Sequence, residues 1–218
     1  MSNSSTVFYD YWRSSASYRV RIALNMLGME YRTVPVDLLT GQHRTPGHLA
    51  RNPQGFVPAL EIDGHLLTQS VAIIEYLNDT RPGCGFLPAD PVLRHHVRAL
   101  AHVIAMDIHP VCNLAVVRHV MALVEDGEAV RDDWMVRFIF DGLRAFETML
   151  DQQDGPVRGA FCCGDAPTLA DFCLIPQLYN AERWHVDVTG LSRIGEIAAA
   201  CATIPAFQAA HPDRVKPG

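Results

Sequence analysis

YDYWRSSASYRVRIAL, Tyr9 to Leu24, is an aromatic, apolar run that stops at Arg13-Ser14-Ser15-Ala16-Ser17 and resumes with Val20, Ala23 and Leu24 at helical spacing. A period of two that changes to 3.6 across a serine-rich turn predicts a strand followed by a helix. The strand extends back to Val7 and the helix forward to Leu27, ending at Gly28. Tyr31 to Val36 then reads as a second strand, which completes a βαβ unit. Three hydroxyls and an arginine stand at the strand-to-helix turn, with no cysteine among them.

Outward from this unit the chain changes character. Thr40 to Asn52 is polar, with room for a short helix. VPALEIDGHLL, residues 57–67, reads as two strands about Asp63-Gly64, a dipeptide that favours a tight hairpin turn. Val71, Ile74, Tyr76 and Leu77 then mark a helix with Ser70 as an N-terminal cap and Pro82 as a stop. The order is βαβ(α)ββα, an α/β domain over residues 1–84. RPGCGFLPADP, residues 81–91, has the glycine and proline density of a linker. Residues 91–218 are expected to form an all-helical domain. Val92 to Val124 is one long helical pattern with a break expected near Pro110. Arg131 to Leu150 is another helix, and Thr168 to Ala181 a third, interrupted early by Pro176. Leu191 to Ala202 and Pro205 to Ala210 follow.

With 218 residues, 49% of them hydrophobic, the chain can bury one large core or two small ones. The formal charge of −6 comes from acids and bases mixed along the whole length, so no basic stripe points to nucleic acid. Met1 to Thr6 lacks the basic and apolar regions of a secretory leader. Charges are expected to break every apolar stretch before it reaches bilayer-spanning length, so the reading is a soluble cytoplasmic protein with no membrane partner. Cysteines at 84, 112, 162, 163, 173 and 201 show no CxxC spacing and read as reduced thiols. The histidines show no metal-ligand spacing, and no metal is expected.

Val57-Pro58 stands just before a strand, where proline belongs at the first residue, in either isomer. Together with the element order, it resembles the thioredoxin-like fold, with a mixed four-stranded sheet and a cis proline facing the start of the first helix. Backbone N–H groups and the helix dipole favour a thiolate there. This chain has Ser14, Ser15, Ala16 and Ser17 at that place, so the sulfur must arrive on a cofactor. Gln69-Ser70 is a second polar pair at a helix start, suited to a carboxylate. Helix capping is the competing reading of the serines at both starts.

RSSASYRVRIAL, NPQGFVPALEIDG, QSVAIIEYL, LPADP, TLADFCLIPQ and NAERWHVD together resemble the zeta class of the glutathione transferase family over nearly the whole chain. Members of that class isomerise maleylacetoacetate or maleylpyruvate. The resemblance implies glutathione as cofactor, a small dicarboxylate substrate and a homodimer. It places Ser14, with Ser15 and Ala16 in the same turn, at the glutathione sulfur. Val57, followed by Pro58, would pair its backbone with the cysteinyl amide. Gln69 and Ser70 would hold the γ-glutamyl carboxylate, and Gln42 or His43 the glycyl end. Arg13 and Arg183 match positions that bind substrate carboxylates, and a planar guanidinium takes a carboxylate bidentately. His109 and Asn113, read as one turn apart on the kinked helix, match a polar pair of the maleylpyruvate branch. Ala16 departs from the class, many of whose members have cysteine there. Arg19 and Arg21 are assigned to structure or to a subunit interface, and the Thr168 to Asp171 capping box to folding.

Two other activities use the same residues or fold: a transferase that conjugates or dehalogenates small α-halo acids, and a non-catalytic glutathione-binding or scaffold protein. Only isomerisation returns free glutathione. A scaffold has no need of Arg13, Ser14, Gln69, Ser70 and Arg183 together. A thiol-disulfide oxidoreductase lacks its cysteine at the first helix start.

Overall fold

The computed structural model describes residues 6–152 and 158–217. Strand β1 (Val7–Asp10) leads into helix α1 (Ser15–Met26) and strand β2 (Arg32–Pro35). A 3₁₀ turn (Gln42–Arg44) and helix α2 (Pro46–Leu49) precede strands β3 (Ala59–Ile62) and β4 (His65–Thr68) and helix α3 (Ser70–Thr80). The sheet order is β2-β1-β3-β4, with β1 and β2 parallel and the other pairs antiparallel. This is the mixed four-stranded sheet expected of a thioredoxin-like domain. The β3–β4 hairpin turns at Asp63 (φ 55°) and Gly64 (φ 79°), a left-handed pair that aspartate and glycine tolerate.

β1 is buried along its whole length, and its alternate side chains feed two cores. Val7 and Tyr9 pack with Tyr11, Val36, Val57 and Ala59, while Phe8 meets Tyr31 edge-on at 5.8 Å. Val20, Ile22, Ala23 and Leu24 of α1 and Ile73, Ile74 and Leu77 of α3 are fully buried, which is what holds the two helices together.

Residues through Phe86 form one compact unit with those from Thr203 onward, and Leu87–Ala202 form a second. The tail from Thr203, grouped by sequence with the helical part, is attached to the sheet unit by α1. In that tail are helices later numbered α10 (Pro205–Ala210) and α11 (Pro212–Val215). Arg21 Nε donates to the Ala210 carbonyl at 3.0 Å, and Asn25 Nδ2 to the Ala206 carbonyl at 3.3 Å.

In the second unit, Asp90 caps α4 (Pro91–His102) by accepting the Val92 and Leu93 N–H groups. A π-helical stretch, residues 103–108, runs into α5 (His109–Val111), and the helix breaks at Cys112. Pro110 is the physical cause. It has no N–H to donate, and its ring presses on the preceding turn, which a wider π turn accommodates. Trp134 Nε1 donates to the Val111 carbonyl at 2.9 Å beside the break. Asn113 restarts the chain as N-cap of α6 (Leu114–Ala122), its side chain accepting the Ala115 N–H at 2.9 Å. His109 and Asn113 therefore do not share one helix, contrary to the sequence reading. Pro91–Ala122 also has an 18-residue window long and apolar enough to cross a membrane by composition, so charges do not interrupt every such stretch as expected.

α7 (Gly127–Asp151) packs on the π-helical stretch at Gly142, where an added Cβ would collide with Ile108. α8 (Leu169–Arg183) runs unbroken through Pro176, where an interruption was expected. Its capping box and the burial of Leu169, Phe172, Cys173 and Leu174 outweigh the cost of one proline, about 3 kcal/mol in a helix interior. α9 (Ser192–Ala202) completes this unit.

Candidate active site

The turn between β1 and α1 is built by a chain of short-range bonds. Ser14 N–H donates to the Tyr11 carbonyl at 2.8 Å, and the Ser14 carbonyl accepts Tyr18 N–H at 2.9 Å. Ser14 is the helix N-cap, and its Oγ accepts the Ser17 N–H at 3.2 Å. A hydroxyl that accepts from the backbone keeps its own hydrogen for another acceptor. Ser14, Ser15 and Ala16 are half-buried, open enough to meet a ligand.

Beneath this turn lies a buried ion pair. Arg21 NH1 meets both Asp10 oxygens at 2.7 and 2.8 Å, and its NH2 donates to the Trp12 carbonyl at 2.8 Å. Burial pushes the Asp10 carboxyl above its ordinary range, opposed by the Arg21 charge. Arg21 thus fixes the residue just before Arg13. The Arg13 guanidinium lies 5.5 Å from the Trp12 ring centre, and the Lys216 ammonium 5.3 Å from the same centre. Both distances are those of cation–π contacts.

The Val57–Pro58 peptide is cis, and Val57 shares a core with Tyr11. Gln69 precedes α3 at φ 70° and ψ 109°, a strained conformation for a residue with a side chain. Its Nε2 donates to Gln54 Oε1 at 2.7 Å. Arg19, 2% exposed, donates from NH1 to Ser70 Oγ at 3.3 Å. The first unit thereby brings together three of the sequence-predicted elements: the α1 start, the Val57–Pro58 loop and the α3 start. Gln42 is committed within its own loop, Oε1 accepting Asp37 N–H at 2.9 Å, and His43 beside it is half-buried.

Arg183, exposed in the last turn of α8, and His109 and Asn113, both half-buried, belong to the second unit. The sequence reading missed Gln54, whose only signal was its place in NPQGFVP, and its assignment of Arg21 to structure or a subunit interface is met by the buried pair with Asp10. In the second unit burial pushes the Cys112 thiol up to about 12 and raises Cys162 and Cys201 well above the ordinary thiol range, so none of these three is poised to ionise. A hydroxyl with a free hydrogen at a helix N-terminus, without a cysteine, fits a thiol brought by a ligand.

Comparison with known proteins gives the same answer from a separate direction. Residues 4–79 match the family model of the glutathione S-transferase N-terminal domain, and residues 128–213 that of its C-terminal domain. The maleylacetoacetate isomerase of Rhizobium meliloti (strain 1021) is 64% identical over 212 residues, covering 97% of this chain and 98% of that protein. A bacterial zeta-class maleylpyruvate isomerase superposes with a TM-score of 0.92 at 39% identity, over 96% of this chain and 98% of its own. The maleylacetoacetate isomerase of Anaeromyxobacter dehalogenans 2CP-1, solved with glutathione in its active site, gives 0.86 at 42% identity, over 97% of both chains. With both domain models matched and these relatives aligned along nearly its full length, the chain belongs to the zeta class of the glutathione S-transferase family.

Proposed function

We propose that this chain is a glutathione-dependent cis–trans isomerase that converts maleylacetoacetate to fumarylacetoacetate. The full-length 64% identity to a maleylacetoacetate isomerase carries the reading, and the cysteine-free serine turn agrees with it. Maleylpyruvate is the second substrate, favoured by the close superposition on a maleylpyruvate isomerase. Bound glutathione supplies a thiolate that adds reversibly to the maleyl double bond, which then turns as a single bond before the thiol is released.

The chain's residues hold and polarise. Ser14 donates its hydroxyl hydrogen to the sulfur, aided by the α1 N-terminus, and Ser15 and Ala16 line the same turn. The Val57 backbone pairs with the cysteinyl amide in the manner of an added strand. Gln69 and Ser70 take the γ-glutamyl carboxylate at the α3 start, and Gln42 or His43 the glycyl end. Arg13 and Arg183 each take a substrate carboxylate, with His109 and Asn113 as further polar contacts. The protein acts in the cytoplasm as a homodimer.

Mixing the purified protein with maleylacetoacetate and following the ultraviolet change tests the reading. Isomerisation that requires glutathione and leaves its concentration unchanged is the expected result. Consumption of glutathione would point to conjugation instead, and no reaction with either maleyl compound would refute the isomerase.

A further inference from the structure

The Phe56 carbonyl accepts two side-chain hydrogen bonds, from His48 Nε2 at 2.9 Å and from Asn52 Nδ2 at 3.0 Å. A carbonyl oxygen has two lone pairs, so this acceptor is saturated. Because a carbonyl can only accept, the bond assigns the ring proton of His48 to Nε2. Both donors are 3% exposed, although Phe56 itself is 39% exposed. Two buried polar side chains are thus spent on one loop carbonyl.

Asn52 is held in place for this contact. Its Oδ1 accepts Gln54 N–H at 3.2 Å, its N–H donates to the His48 carbonyl at 2.9 Å, and its carbonyl accepts Gly55 N–H at 2.8 Å. Gly55 turns the chain at φ 66°, where a Cβ would come within 3.0 Å of the His43 carbonyl and 2.9 Å of the Arg44 guanidinium. The loop from His48 to Phe56 therefore closes on itself around the Phe56 oxygen.

Phe56 C=O and Val57 N–H belong to one trans peptide plane and point in opposite directions. Pinning the oxygen fixes the direction of the N–H. Donors at the oxygen also polarise the amide and strengthen the N–H as a donor. We propose that His48 and Asn52 are positioning residues for glutathione capture, aiming and polarising the Val57 N–H that donates to the ligand's cysteinyl carbonyl. The inference rests on the assignment of Val57 to glutathione above, and neither residue touches the ligand.

Calorimetric titration with glutathione tests it, on His48→Phe, Asn52→Ala and the conservative His48→Gln, which keeps an N–H donor. Loss of one such bond should raise Kd about 3- to 10-fold in the first two variants. His48→Gln should stay within about two-fold of the wild type, as expected if the donor and not the ring matters. At saturating glutathione, kcat and the KM for the maleyl substrate should be unchanged. The Val57 amide proton should move upfield in a ¹H–¹⁵N spectrum of His48→Phe and Asn52→Ala, a response that a purely structural loss of stability does not produce. Glutathione Kd within two-fold of wild type in both variants would overturn the inference, as would a raised Kd with the Val57 resonance unmoved. Each variant is scored by itself, so Asn52→Ala decides if His48→Phe does not fold. A wild-type protein that fails to bind glutathione would instead overturn the functional reading, and this inference with it.

Discussion

Ser14 caps α1 and, in the function proposed above, also meets the ligand sulfur, and the two jobs can be separated by measurement. Its Oγ caps α1 through the Ser17 N–H, and its hydrogen is assigned to the ligand sulfur. Ser14→Ala should lower kcat about 10- to 1000-fold, the range for losing a charge-stabilising donor. It should lower stability by only about 1 kcal/mol, the usual loss of a cap. Full activity in that variant, measured by initial rates at saturating glutathione, would move the role to Ser15 or to the helix end alone. The arginines divide in the same way. Arg13→Met and Arg183→Met should cut kcat/KM for the maleyl substrate about ten-fold to a hundred-fold, with glutathione affinity little changed. Unaltered KM and kcat in both would sink the carboxylate assignment. Arg21→Met should instead leave Asp10 buried without its cation, costing about 3–5 kcal/mol in chemical denaturation. Composition and spacing alone could not separate these arginines: Arg13, Arg19 and Arg21 lie within nine residues, but Arg13 stays half-buried in the turn before α1 while Arg19 and Arg21 are buried on the helix.

At the scale of elements, the sheet was legible because its signals are local. A period change at Arg13, an Asp-Gly turn and a proline before a strand suffice for the βαβ(α)ββα order. The helical half was legible in its longer helices but not in its joints, because Pro110 and Pro176 look alike in sequence. One sits in a stretch that yields to a π turn and then breaks, the other between buried residues that keep α8 continuous. The β3–β4 hairpin shows how elements are then joined. Asp63 in its turn accepts Tyr76 Oη at 2.8 Å and meets the Arg81 guanidinium at 2.7 and 3.0 Å, tying the hairpin to α3. The hydrogen bond from Arg81 holds the Asp63 carboxyl below its ordinary range, with burial opposing. A carboxyl lowered on folding contributes stability above its unfolded value, near 4, and loses it as pH falls through the folded value. Asp63→Asn tolerates the same backbone turn, so it should cost no more than about 1 kcal/mol at pH 7, as the group is largely exposed. Below about pH 4 the difference from wild type should shrink toward zero. Thermal unfolding of both proteins between pH 3 and pH 7 measures this, and a gap that stays constant across the range would assign the loss to something other than the ion pair.

For the whole molecule, the surface of the helical unit is the feature that one chain does not account for. Val92 is 62% exposed, Met106 57%, Leu123 68% and Phe140 38%, all on α4 to α7 or the segments that join them. Exposed apolar residues scattered singly need no explanation, but several on successive helices of one unit are what the homodimer interface proposed above would cover. The sequence did not show that these side chains face outward, because helical periodicity marks an apolar face whether a neighbouring helix or a second subunit covers it. A homodimer with a standard interface of about 800 Å² per chain would cover several of these side chains. Sedimentation equilibrium at micromolar concentration should therefore give twice the mass of the chain. Phe140→Glu and Leu123→Glu, each placing a charge on this surface, should shift the mass toward that of one chain if their side chains lie in the interface. Near-native far-ultraviolet dichroism should be kept in both, because neither side chain belongs to the buried core. A single-chain mass for the wild type at these concentrations would refute the dimer.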